Sequence, residues 1–423
     1  MNSGSTRWPA AALAAAVFCS GQAGAEPAAE LAEGSASTPP ALTDTTTRAA
    51  MAEIVAALAF ALPQSLSDTR YSDPAQRAKI QAALATLAES GERLQAHASG
   101  PDEGFVLLAG TLARDTHAVL EHYERGRFAE SRFLLLQMTD NCVACHSRLP
   151  DDAPHPLGLA LADDPAVRSL PLQERVELEV ATRQFDRALA SYEELFRSPT
   201  VSPADLDLLG ALDDYLEVCL RVRGDPARAA RSFEALAERD DVSPPLRKSL
   251  LAWVAALRGL PKSAEGEPSL AAARALVQAA RNSSRFPDDR RALVPYVAAS
   301  GLLHRYVSQG QRTPRQLAEA YYLLGVIESH VGRSFWLSQT EHFLEASIRT
   351  APGDPRALEA FALLEEFVVA GYTGSGGSAV PDDARIRLAE LHALIDAASL
   401  PADGFHEPSK AIEPPQVDFP AAR

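Results

Sequence analysis

The stretch FAESRFLLLQMTDNCVACH, Phe128 to His146, decides how this chain is read. Its first half repeats apolar residues at helical spacing, through Leu134, Leu135 and Met138. Its second half ends in Cys142-Val143-Ala144-Cys145-His146, the Cys-x-x-Cys-His arrangement by which c-type haem is attached. The chemistry explains the spacing. Two thiols separated by two residues add to the two vinyl groups of one porphyrin, and the next imidazole then lies under the iron. On this reading Cys142 and Cys145 anchor one haem c covalently and His146 is its proximal iron ligand. Two blander readings compete. A thioredoxin-like Cys-x-x-Cys follows a strand and opens a helix, whereas this motif closes a helical pattern and precedes Ser147-Arg148-Leu149-Pro150. A zinc site requires a second ligand pair, and the sequence has no other Cys-x-x-Cys and no His-x-x-x-His.

Three further amphipathic patterns lie upstream. The first carries Met51, Ile54, Val55, Leu58 and Leu62 and is expected to stop at Pro63. The second begins near Asp73-Pro74, with proline in the first turn, and carries Ile80, Leu84, Leu87, Gly91 and Leu94. The third carries Phe105, Leu108, Leu112, Val119 and Tyr123 and breaks at Gly126. The fourth runs unbroken from Phe128 into Cys145. Short links at Gly100-Pro101 and Gly126 make antiparallel neighbours, so residues 45–149 are predicted to form a four-helix bundle.

A haem motif closing the fourth helix of a bundle resembles the class II cytochromes c, the cytochrome c′ family and its low-spin relatives, over roughly residues 44–149. The resemblance implies a haem that hangs from the last helix and packs inside the bundle. In the low-spin members a methionine early in the first helix is the second axial ligand. Met51 stands at the matching place, with Arg48 shortly before it. Met51 is therefore the candidate distal ligand, against the ordinary reading of a core methionine. High-spin members leave the sixth site empty or covered by an apolar residue, and that alternative stays open. Met138 lies one turn before Cys142 on the proximal helix and is not expected to reach the distal face. His97, His117 and His122 read as exposed or capping histidines.

The N-terminus has the order of parts of a secretory signal peptide. Arg7 precedes an apolar run from Ala10 to Phe18, and a small-x-small site follows at Ala23-Gly24-Ala25. Cleavage is expected after Ala25, and a retained membrane anchor is the alternative. Phe18 is too bulky for a lipoprotein signal ending at Cys19. No other segment is expected to cross a membrane, so the mature chain is expected in the periplasm without stable membrane insertion. Residues 26–44 read as a flexible leader, 150–170 as a Pro- and Asp-containing linker and 401–423 as a disordered tail. The formal charge is −16 over 423 residues, with 46% hydrophobic content. That acidity argues against nucleic acid and anionic membrane and favours basic partners. Cys219, in a run with Leu216, Val218 and Leu220, is expected to be buried.

Residues 171–400 carry helix pairs of another kind. RQFDRALASYEELFRSP holds Ala188 and Tyr192, RGDPARAARSFEALAERD holds Ala229 and Phe233, and AEAYYLLGVIESHVG with TEHFLEASIRTAPGDP holds Gly325, Phe343 and Ala346. These resemble the tetratricopeptide repeat, with a small residue where paired helices meet and an aromatic one turn later. Such pairs stack into a solenoid, whose concave side docks a protein or a peptide segment. The Gly371–Gly377 stretch lacks a Lys-Ser/Thr and reads as a turn, and Asp213-Asp214 and Asp382-Asp383 read as solvated faces or helix starts. The fold class is thus all-α. The expected function is periplasmic one-electron transfer by a monohaem cytochrome c, without enzymatic activity of its own, with a redox partner docked on the repeats. A five-coordinate haem gas or redox sensor, and a repeat scaffold with structural haem, are the alternatives.

Overall fold

Spacings of three and four dominate the sequence, and the computed structural model turns them into helices. It describes residues 43–98, 103–148, 156–208, 210–264, 266–284, 290–309, 312–331 and 339–399. The expected export signal, the tail and nearly all of the leader lie outside these residues. The N-terminal group is α1 (Thr43–Ser65), the single turn α2 (Asp68–Tyr71), α3 (Arg77–His97), α4 (Glu103–Glu124), α5 (Phe128–Gln137) and α6 (Thr139–His146). Then come α7 (Pro156–Asp163), α8 (Pro165–Arg168), α9 (Leu172–Ala181), α10 (Phe185–Arg197), α11 (Pro203–Leu208) and α12 (Ala211–Glu217), which runs into a π-helical turn at Val218–Val222. The remainder is α13 (Pro226–Ala237), α14 (Pro244–Arg258), α15 (Leu270–Ser283), α16 (Leu293–Ser308), α17 (Pro314–Val331), α18 (Thr340–Thr350), α19 (Pro355–Gly371) and α20 (Asp382–Ser399). The protein is all-α. The one exception among the described residues is a two-stranded ribbon, Thr373–Gly374 against Gly377–Ser378, where the sequence predicts no strand. Gly377 supplies its turn at φ 104°, a conformation glycine takes freely.

Several boundaries differ from expectation for local reasons. α1 continues past Pro63 to Ser65, because the proline falls in the last turn and the Ser65 hydroxyl donates to the Leu62 carbonyl at 2.8 Å. α3 starts at Arg77 because Asp73 makes a turn instead, its carboxylate accepting from Ala75 N at 2.9 Å. The expected fourth helix is two, broken at Met138, where Thr139 Oγ1 turns back on the Leu136 carbonyl at 2.8 Å. Residues 156–168, read as linker, are mostly the helices α7 and α8. Contrary to expectation, Thr46–Ser65 is long and apolar enough to cross a membrane by length and composition, with a mean hydropathy of 1.3. Its apolar surplus serves two faces. Ile54, Ala57 and Ala61 are buried in the core, while Met51, Val55 and Leu58 remain partly exposed along a cleft.

Two large apolar cores meet at α9, beside α6. One gathers α1, α3, α4 and α5, and takes in Leu161, Val167 and Leu178 from α7, α8 and α9. The other fills the helices from α9 to α18 and takes in Val143 from α6. A smaller one joins α18, α19 and α20. Within the N-terminal group, Tyr71, Tyr123 and Ser131 form a buried knot: Tyr71 and Ser131 hydroxyls lie 2.9 Å apart, and Tyr123 OH donates to the Tyr71 carbonyl at 3.2 Å. In the C-terminal helices, Gly325 on α17 sits where a Cβ would come 2.7 Å from Leu344 of α18. All of the described residues belong to one compact unit.

Candidate functional site

The short helix after the break at Met138 matters because of what it carries. α6 carries Cys142 and His146 one turn apart on one face, with Val143 on another. Asn141 Nδ2 donates to Asp115 Oδ2 at 2.5 Å and ties α6 to α4. Cys142 and His146 line a narrow, almost wholly apolar cleft. α1 supplies Met51, Ile54, Val55, Leu58 and Leu62; Met138 and Thr139 flank the cysteine; Leu161, Leu178, Ala181 and Thr182 close the far side. The structure thus brings Met51, Cys142 and His146 to one cavity. Cys145 and the histidines His97, His117 and His122 do not line it. His117 instead pairs with Glu92 at 2.6 Å on the surface. Met138, not expected to reach a distal face, lines the cleft beside Cys142 and is buried.

The C-terminus of α9 orients His146. Its Nδ1 lies 2.7 Å from the Ala181 carbonyl. A carbonyl only accepts, so Nδ1 carries the hydrogen and Nε2 keeps the lone pair. Why that carbonyl is available follows from the end of the helix. Thr182 N bonds Leu178 O at 2.9 Å, Gln184 N bonds Glu179 O at 2.7 Å and Arg183 N bonds Val180 O at 2.9 Å. This is a Schellman end, and it leaves the last two carbonyls over. Gln184 Nε2 takes that of Thr182 at 2.9 Å, and His146 takes that of Ala181. Residue C′ of such an end is usually glycine, yet here it is Arg183 at φ 60°. Among the described residues no other non-glycine has positive φ. The left-handed conformation costs a residue with a Cβ about 1 kcal/mol.

Electrostatics keep the ring neutral. Burial first, and then the Arg183 guanidinium, hold the His146 imidazole down at about 4, against the pull of the Ala181 carbonyl. At neutral pH the ring is therefore an uncharged imidazole with one free nitrogen, the form a metal takes. Cys142 is the opposite of an activated thiolate. Burial, then Cys145 and Asp140, push its thiol up to about 12, and Sγ donates to the Met138 carbonyl at 3.7 Å. A disulfide-exchange nucleophile requires a lowered pKa, usually at a helix N-terminus after a strand. Here a helix precedes α6. Among the described residues no three His, Cys, Asp or Glu side chains gather to hold an ion. The donor set, two thiols and an oriented neutral imidazole beside an almost wholly apolar cleft, is chemically suited to a porphyrin edge and its iron.

Sequence reasoning missed Leu161, which lies within the expected linker, and Leu178, Ala181, Thr182 and Arg183, which lie beyond it. It also missed the residues that follow the motif. Ser147 Oγ donates to Glu217 at 3.1 Å, Arg148 pairs with Glu328 at 3.2 Å and donates to Gln339 at 2.5 Å, and Arg221 pairs with Glu217 at 2.9 Å. These side chains are nearly all buried. Asp213 and Asp214 do open α12, but not on a solvated face: Asp214 is buried, and Asp213 is paired with Arg290. Cys219 is fully buried. No protein-family model matches the chain, and no curated protein or solved structure is significantly similar to it.

Proposed function

We propose that the protein is a periplasmic monohaem c-type cytochrome that transfers single electrons. The observation that carries this reading is the hydrogen bond from His146 Nδ1 to the Ala181 carbonyl, on a ring that lines the same apolar cleft as Cys142 and Met51. It fixes the tautomer a proximal ligand requires and raises the basicity of the other nitrogen. Cys142 and Cys145 would be the thioether anchors, His146 the proximal ligand and Met51 the distal one. Bound there, haem supplies reversible one-electron chemistry at its iron. The chain's own work is to hold the imidazole neutral and oriented, to exclude water with α1 and α9, and to keep Cys142 a protonated thiol. The helices up to α6 would form a cytochrome c′-like four-helix bundle. The later helices would form a tetratricopeptide-like solenoid that docks a basic redox partner or a peptide segment.

A second reading is favoured by one observation: Met51 is only partly buried, so the iron's sixth position could stay open and the protein serve as a gas or redox sensor. Visible spectra of the reduced, haem-loaded protein with and without carbon monoxide decide between them. Electron transfer with Met51 ligation predicts a low-spin spectrum that carbon monoxide leaves nearly unchanged. Rapid, complete conversion to a carbonyl adduct would favour the sensor.

A further inference from the structure

We propose that Arg183 is a positioning residue of the proximal side, a guanidinium that the α9 end fixes beside His146 and that sets the iron's reduction potential. The inference rests on the haem reading above and adds to it a residue that no sequence motif marks.

The geometry carries it in three parts. First, Arg183 occupies the turn position at which glycine forms a Schellman end without cost, and it does so at φ 60°. Relaxing this backbone strain would take only a glycine, so the side chain has some other use. Second, Arg183 lies two residues after Ala181, whose carbonyl holds His146, and next to Thr182, which lines the cleft. Third, the guanidinium is not left to swing in solvent. It is partly buried, with its carbon 5.5 Å from the centre of the Phe185 ring, and Phe185 is itself buried. A cation over an aromatic face is held in place as well as stabilised.

The two features of the α9 end pull in opposite directions. The Ala181 carbonyl, at the negative end of the helix, strengthens His146 as a donor and favours the oxidised iron. The Arg183 charge disfavours the oxidised iron, which carries one more positive charge than the reduced. One electron received from a partner removes that extra charge, and no proton transfer is required of the arginine. A unit charge at roughly 10 Å in an effective dielectric of ~20 is worth about tenfold in such an equilibrium.

The test is spectroelectrochemical titration of the haem-loaded full chain with R183G and R183K beside the wild type. R183G suits φ 60° and is expected to fold, with thermal stability not lower than the wild type. Its visible spectrum should keep the wild-type ligation. Its oxidised-to-reduced ratio at a fixed potential should rise about tenfold, equivalent to a midpoint ~59 mV lower for a one-electron couple. R183K, which keeps the charge, should recover most of the wild-type midpoint. An R183G midpoint equal to the wild type overturns the proposal, as does an R183K midpoint as low as that of R183G. A wild type that carries no covalent haem overturns the cytochrome reading itself and this inference with it. A haem-loaded wild type with an unmoved R183G midpoint overturns the role of Arg183 alone.

Discussion

At the scale of single residues, His146 shows how much of a site is decided by a neighbour's backbone. Its ring is neutral because it is buried beside a cation, and its tautomer is set because a leftover helix carbonyl can only accept. Met51 is the proposed distal counterpart. Met51→Ala in the haem-loaded protein should convert a low-spin spectrum to a high-spin one that binds carbon monoxide; an unchanged visible spectrum would remove Met51 from the iron. A different residue makes stability depend on pH. Burial pushes the Asp213 carboxyl up to about 6, with Arg290 opposing and Glu217 adding to the rise. An unfolded aspartate titrates near 4. Below that pH the folded and unfolded states are both protonated, and stability from this group is fully present. As pH rises from about 4 through 6 the unfolded chain loses its proton first, and up to about 3 kcal/mol is lost. Urea unfolding of Asp213→Asn should therefore show a flatter decline over that window than the wild type. Cys142, Cys145 and His146 could be singled out in the sequence because they stand together in one short pattern of fixed residue types, Cys-x-x-Cys-His. Ala181 and Arg183 could not, because every residue has a carbonyl and only the folded chain says which one is left over.

At the scale of elements, apolar periodicity located α1, α3, α4, α10, α13, α17 and α18, since a stripe at spacing three and four has one economical way to be buried, but it did not mark out α14, α15, α16, α19 and α20 one by one. It did not locate the break at Met138, which depends on the Thr139 hydroxyl competing for the Leu136 carbonyl. Nor did it separate the two apolar faces of α1, because a face toward a core and a face toward a cleft have the same composition. The Gly377 ribbon escaped for the same reason: two-residue strands carry no period. The contact of α17 with α18 gives a sharp test. Leu344 is fully buried, and a Cβ on Gly325 would meet its Cγ and Cδ2 at 2.7 Å. Gly325→Ala should cost about 1–3 kcal/mol in chemical denaturation despite its better helix propensity. A gain in stability would mean that the helices do not cross this closely.

At the scale of the whole molecule, α6 and α9 tie the two large cores together. Cys142 and His146 face a cleft walled partly by α9, Val143 belongs to the second core, and Ser147 and Arg148 reach into a buried ion network with Glu217, Glu328 and Gln339. The division at 150–170 read from prolines and aspartates does not reveal this, since ion pairs across 180 residues of sequence leave no local mark. Arg148→Met strands Glu328 without its partner and should cost about 3–5 kcal/mol, and adding Glu328→Gln should recover part of it. Thermal unfolding should follow one cooperative transition rather than two, because residues from α1 to α20 form one compact unit. The claim on which the functional account stands is covalent haem at Cys142 and Cys145. It is tested most directly by intact mass and reduced visible spectra of the protein exported from a host that matures c-type cytochromes. The account predicts the mass of one haem added to the chain and lost in the double variant Cys142→Ala/Cys145→Ala. A wild-type chain with two free, alkylatable thiols at these positions and no haem absorbance would contradict it.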